Sequence, residues 1–485
     1  MVIEPFEPSM ILAVLPQILL VVLAGMILLF DAIWKPENKR LLGWIVAAGL
    51  LVAIILSFLF STPTNQGRLI FGGMLRQDWL GFAFTILFMF AAAITSLFAI
   101  DLKGVGFKGE FYLLMLISTL GMSLMASSAD IIMLYLAIET TSIPMYILAG
   151  FITRDDKSTE SGFKYLLFGA AASTIMLYGF SLLYGFTTQT NIYQIAQAFY
   201  DQNISFVAVI GALLLILVGF GFKISAFPFH FWAPDVYEGA PTPIAGFLST
   251  ASKAAGFVVV LRVLVTVFTP SAAPQWMNYL AVISVITMTI GNVLALAQKN
   301  IKRLLAYSSI AHAGYILIGV VALSQLGMTS VVFYLIAYLI TNLAAFGIVM
   351  TFSHVVGSDE ISAYSGLSRR KPWLALAMLI AFLSLAGMPP LAGFIAKVFV
   401  FAAAVKTGMV WLAFIGVLNS IVGLYYYLTV LKYVYLYRSD DEQLPLEISR
   451  PYVLALSILV FGIIIVGTLF GPWFNISNQI ASSLF

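Results

Sequence analysis

Apolar runs of roughly bilayer length recur along nearly the whole chain, near 11–30, 41–60, 79–100, 111–126, 130–150, 161–184, 204–226, 242–268, 279–298, 304–323, 330–355, 373–405, 410–436 and 452–471. A helix rising 1.5 Å per residue needs about 20 residues to span hydrocarbon, so the pattern predicts fourteen membrane-crossing helices in one polytopic domain, residues 1–485. The run 373–405 is too long for one straight crossing, and a break or strong tilt is expected there. The connection around Thr187–Asn203 is expected to carry a short surface helix. Neither a soluble domain nor a low-complexity segment interrupts the series.

Polar positions set the orientation. Loops after odd-numbered runs hold sixteen lysines and arginines; those after even-numbered runs hold only Arg68, Arg76 and Lys406. Short loops rich in Lys and Arg stay cytoplasmic, so both termini are expected on the outer face. Trp34, Trp79, Trp276, Trp373 and Trp473 fall at run ends, as an interfacial aromatic belt requires. The acidic N-terminus MVIEPFEPSM lacks the basic region and cleavage site of a signal peptide, so the first helix is expected to stay.

Composition agrees. Hydrophobic residues are 61% and charged residues 9% of 485, more apolar surface than a soluble core could hide. The net charge of +3 and the absence of a basic run give no sign of nucleic-acid binding. With no cysteine, disulfides, thiolate metal sites and iron–sulfur ligation are excluded, and the three histidines are too dispersed for a metal motif. Gly104 to Gly109 matches G-x-G-x-x-G, but it joins two apolar runs rather than a strand and a helix, so nucleotide binding is not inferred.

The informative residues are the charges left inside the runs: Lys164, Lys223, Lys253, Arg262, Lys397 and the carboxylate Glu139. Each costs several kcal/mol in hydrocarbon unless partnered or functional. Glu139 lies nine residues past Asp130, about 13 Å into its helix, and Pro144 should free a backbone carbonyl nearby. Lys253 lies ten residues after Pro243, about 15 Å deep, among small residues that permit close helix approach. Lys223 stands between glycines and Pro228, and Lys397 follows GMPPLAGF. Two interrupted runs, each beside a lysine, suit a transporter built from repeated halves. The bland alternatives are a helix-packing acid and lysines that snorkel to an interface.

Lys164, near the end of its run, reads equally well as an interfacial anchor. Arg262 does not release protons at ordinary pH and is expected in a structural ion pair. His230 and His312 suit a secondary relay, because imidazole titrates near neutrality, or else are bonded core residues. His354 reads as a helix end, and Asp235 and Glu238 as loop residues.

A buried amine whose acidic partner comes and goes binds and releases a proton. A swing of about 2–3 in pKa is on the order of 3–4 kcal/mol, against about 2.3 kcal/mol for one charge crossing 100 mV. Glu139 is thus expected to modulate Lys223, Lys253 to carry the proton across the middle, and Lys397 to deliver it outward.

The strings GFGFKISAFPFHFWAPDVYEGAPTPIAGFLSTASKAAGF, QKNIKRLLAYSSIAHAGYILIG and LSLAGMPPLAGFIAKVF resemble the N-type antiporter-like membrane subunit of proton-pumping NADH:quinone oxidoreductase, respiratory complex I. The resemblance implies an all-α fold of fourteen helices with two inverted five-helix repeats, each containing a broken helix. It divides the chain into three N-terminal helices (1–110), a first repeat (111–268), a second repeat (279–437) and a C-terminal helix (438–485). It also implies proton-transfer roles for Glu139, Lys223, Lys253 and Lys397, with Lys164 and His230 as accessory positions.

M-type sisters carry glutamate where this chain has Lys397, and L-type sisters have a long C-terminal extension, for which Phe485 comes too early. The implied partners are M-type and K/J/A-type neighbours in a bacterial inner membrane. No cofactor is expected in this chain; flavin, iron–sulfur clusters and quinone are expected in other subunits. Alternatives are a subunit of a multi-subunit cation/proton antiporter or membrane-bound hydrogenase, and a free-standing transporter.

Overall fold

The computed structural model describes residues 7–64, 67–201, 204–439 and 446–484; Asn203, Phe485 and most of the acidic N-terminal stretch lie outside them. Among the described residues, thirteen helices are long and apolar enough to cross a membrane. A fourteenth crossing is made by two half-helices, Pro372–Ala386 and Ala392–Lys406, so the run too long for one straight helix is broken. The expected surface helix is Ile192–Asp201. The segment expected to hold one C-terminal helix holds two, Arg450–Thr468 and Phe470–Ser482.

The crossings sort by depth. In Thr242–Phe268, Ile301–Val321 and Gln325–Val356, the most apolar stretch is 94% buried; in Leu15–Ile33 and Leu41–Phe60 it is 33%. The first three form the centre, and the others present Leu28, Leu29, Leu51 and Leu59 outward. Gln325–Val356 has 32 residues, about 48 Å of helix, which a bilayer accommodates by tilt.

The bundle has two ends. At one, an antiparallel hairpin, Arg68–Ile70 and Leu75–Gln77, lies over the start of helix Trp79–Ala99; this is the hairpin face. The C-terminal helix shares this face, where Asn478 accepts from the Gln325 side chain, and Ser61 donates to Ala13 near the other chain end. The opposite, basic face gathers Lys39, Arg40, Lys157, Lys302 and Arg303.

The two interrupted crossings are the seventh and the twelfth. The seventh runs as Phe206–Ile224, turns at Ser225 (φ 57°), and resumes as Trp232–Gly239. The twelfth turns at Gly387 (φ 88°). They are five crossings apart, an odd number, so they traverse the bundle in opposite senses.

Candidate functional site

Both interruptions exist to end a helix in the interior, and each end has a lysine beside it. Lys223 occupies the last turn of Phe206–Ile224. Lys397, on the second half-helix of its crossing, donates 2.9 Å to the carbonyl of Ala386, at the end of the first. A cation is favoured there by the exposed carbonyls and the negative end of the helix dipole. Gly387 is required twice. It takes a left-handed conformation, and a Cβ on it would stand 2.9 Å from Lys397 Cδ.

The three mid-bundle lysines are interior, with 8% (Lys223), 1% (Lys253) and 5% (Lys397) of their surface exposed. Among the described residues, none of them is bonded to a carboxylate. Lys223 Nζ donates to Ser142 Oγ, and Ser142 donates to the carbonyl of Ile138. Lys253 Nζ donates to both the carbonyl (2.8 Å) and the hydroxyl of Ser309. Lys397 Nζ donates also to Ser420 Oγ at 2.9 Å and lies 5.0 Å from the Tyr315 ring centre. Partnered by neutral oxygens, each ammonium is held without an anion to trap its proton.

Glu139 is half-buried on helix Ile131–Ala149 and accepts from Ser173. Three residues on, on the same helical face, is Ser142, the hydroxyl that Lys223 bonds. The Lys223 and Lys253 helices meet at Gly256, where an added Cβ would lie 3.1 Å from Lys223 Cβ. A turn of π-helix, Leu248–Ser252, immediately precedes Lys253; such turns are frequent at working positions in helices.

Helix Ile301–Val321 bridges Lys253 to Lys397. It carries Ser309 on Lys253, His312 between Tyr334 (2.8 Å from Nδ1) and Tyr427 (3.3 Å from Nε2), and Tyr315 beneath Lys397. Ser308 bonds Tyr427, and Asn292 links Tyr315 to Asn419. His312 thus lies on this helix between the residues that meet Lys253 and Lys397. His230 lies in the break of the seventh crossing against Phe227 and Phe231, and its Nδ1 has no partner among the described residues.

Lys164 belongs elsewhere. It pairs with Glu160 and Asp235, both at 2.6 Å, in a basic-face network completed by Arg303 on Asp235 (2.7 Å) and Glu238 (2.9 Å) and Lys157 on Glu238 (2.8 Å). Burial alone would raise Asp235 and Glu238, but bonds from Lys164, Lys157 and Arg303 outweigh it and hold both carboxyls below the ordinary range. Arg262 forms the expected ion pair, with Asp78.

The hydroxyls of Ser142, Ser173, Ser309, Ser420, Tyr334 and Tyr427 were not among the sequence candidates, because such residues are common in apolar helices. One signal was available: Ser308, His312 and Tyr315 are spaced i, i+4, i+7 and share a face.

Residues 128–423 match the family described as NADH:quinone oxidoreductase/Mrp antiporter, TM. The NADH-quinone oxidoreductase subunit N of Heliobacterium modesticaldum is 40% identical over 93% of this chain and 94% of its own length. In respiratory complex I from Thermus thermophilus, one chain matches at 32% identity and TM-score 0.80, covering 95% of this chain and 98% of that one. A chain of the Mrp complex from Dietzia sp. DQ12-45-1b shares the fold, with TM-score 0.86 and 20% identity over 99% and 98% of the two chains. By sequence and by fold together, the chain belongs to the NADH:quinone oxidoreductase/Mrp antiporter family of membrane subunits, on its N-type branch.

Proposed function

We propose that this chain is the proton-translocating N-type subunit of an NADH:quinone oxidoreductase, moving protons along Glu139, Lys223, Lys253, His312 and Lys397 while quinone is reduced elsewhere in the complex. The observation that carries this reading is the set of buried lysines bonded to neutral oxygens, with Ser309, His312 and Tyr315 set along one helix between Lys253 and Lys397. A proton on such an amine is held by hydrogen bonds alone and leaves when a neighbouring charge changes. Imidazole suits the middle of the row because one ring nitrogen can accept while the other donates.

The basic face is cytoplasmic by the distribution of Lys and Arg, so both chain ends are periplasmic in a bacterial inner membrane. Protons load from the basic face near Lys223, cross at Lys253 and leave past Lys397. Lys164 and the ion pairs around it steer protons toward the loading side, and His230 serves the same half. Flavin, iron–sulfur clusters and quinone belong to partner subunits, with M-type and K/J/A-type subunits as the membrane neighbours. The chain comprises the two five-helix repeats, 111–268 and 279–437, flanked by 1–110 and 438–485.

The test is Lys253→Ala and Glu139→Gln in the assembled complex, read by proton pumping and quinone reduction. Both rates should fall while assembly persists; wild-type pumping by either variant sinks the assignment. The likeness to the Mrp chain favours a second reading, a cation/proton antiporter subunit. Co-purification from native membrane separates them: an NADH-oxidising module supports the first, and small antiporter or hydrogenase subunits the second.

A further inference from the structure

The hairpin end of the eighth crossing holds a cluster that the row of lysines does not use. Asp78, whose side chain is fully buried, accepts from both Nη atoms of Arg262, at 2.8 and 2.9 Å. Arg262 gives a further bond, 2.7 Å, to the carbonyl of Ala126. Arg76 approaches the same carboxylate to 3.3 Å and donates to the Tyr193 hydroxyl. Two guanidiniums thus share one carboxylate, an excess of one positive charge among these three side chains; the buried acid of the adjoining turn, Asp130, accepts from the Ile132 and Met133 N–H groups instead. Among the described residues, Arg262 Nε has no hydrogen-bond partner, and Arg76 Nε has only the 3.3 Å ion-pair approach to Asp78.

The cluster is roofed by backbone. Ala129 N–H donates to Met74, Ile131 N–H to Thr190 and Ile192 N–H to Ala129, each at 2.9 Å, and the Asn191 amide bonds Gly73. The hairpin, the turn before Glu139's helix and the segment before the surface helix are laced into one lid. Beside the cluster there is a cavity of about 20 Å³, room for roughly one water. The basic face, by contrast, opens cavities of about 110 Å³ over Asp235 and Arg303 and about 270 Å³ between Lys302 and His354. Arg262 lies nine residues from Lys253 on one helix, about 13 Å away. The crossing five further on, Val410–Tyr435, has no buried arginine.

We infer that Arg262, Arg76 and Asp78 form an electrostatic plug that stops protons leaking from the hairpin side to Lys253. A net positive charge in a low-dielectric wall repels hydronium, as arginines do in water-conducting pores, while arginine itself does not release a proton and so is no relay. The plug closes the first half of the chain on the side from which protons must not return. It rests on the proposed orientation and proton route.

The test uses the assembled complex in sealed vesicles and follows decay of an imposed pH jump, which needs no turnover and therefore stands apart from whether the subunit pumps. Arg262→Met and Arg76→Met each leave Asp78 one guanidinium and bring the cluster to neutrality. Each should speed the decay on the order of tenfold, as expected from losing one charge about 13 Å from Lys253, with quinone reduction maintained. Asp78→Asn keeps both positive charges and should leave the decay within about twofold of wild type, and Arg262→Lys should restore it. Wild-type decay in both arginine variants, equal leaks in all three, or failure of both arginine variants to assemble overturns the plug in favour of a structural clamp.

Discussion

The basic-face network and the mid-bundle lysines use the same residue types and bond them in opposite ways. Lys157, Lys164 and Arg303 meet Glu160, Asp235 and Glu238 in direct ion pairs near water. Lys223, Lys253 and Lys397, with almost no exposure, meet hydroxyls and carbonyls. Hydrocarbon burial makes an unpaired cation expensive, so chemistry aimed at stability alone would have supplied anions inside and left the surface to solvent. A permanent anion would hold the proton; a hydroxyl lets it go.

The comparison breaks most visibly at Lys253. Lys253→Met removes the amine without opening a large cavity and should cut proton-coupled quinone reduction by about tenfold or more, equivalent to at least ~1.4 kcal/mol, in a complex that still assembles; activity assays on purified complex check it. Ser309→Ala comes next. It strips the hydroxyl from Lys253 and leaves the carbonyl, a loss of about 1–3 kcal/mol for a charged buried donor, and should slow turnover several-fold. His312→Phe preserves ring packing but removes both tyrosine bonds; it should lower the pumping ratio more than assembly, measured as acidification per quinone reduced.

On the basic face, Lys164→Ala should change thermal stability by less than about 1 kcal/mol, as exposed pairs do, and turnover by less than about twofold; a collapse comparable to that of Lys253→Met would erase the distinction between the two regions. Smallest is the pH effect. Asp235 and Glu238 have folded-state pKa values below their unfolded ones, so their pairs stabilise fully above about pH 4 and lose that contribution only as pH falls through the lower folded values. Melting of wild type and Lys164→Ala should therefore differ by a constant amount from pH 5 to 8.

The crossings and the charges within them could be read from the chain because both are one-dimensional signals, run length against bilayer thickness and charges where none are tolerated; the buried Asp78 and Arg76, outside the runs, could not. The break at Gly387 was legible from a run of excess length, and that at Ser225 from glycine and proline around Lys223. What could not be read was distance. That Lys253 meets Ser309, 56 positions away, depends on how three helices cross, and serine in an apolar run announces nothing. Lys164 showed the converse limit, since its depth depends on where Asp235 folds back to meet it. The π-turn before Lys253 carries no composition of its own.

The odd interval between the two broken crossings has a consequence for direction. A half-membrane opening made once by interrupting a helix faces one compartment; the same interruption placed an odd number of helices later faces the other. Loading and discharge can then be two copies of a single device, and what distinguishes inlet from outlet is only which way round each copy was threaded.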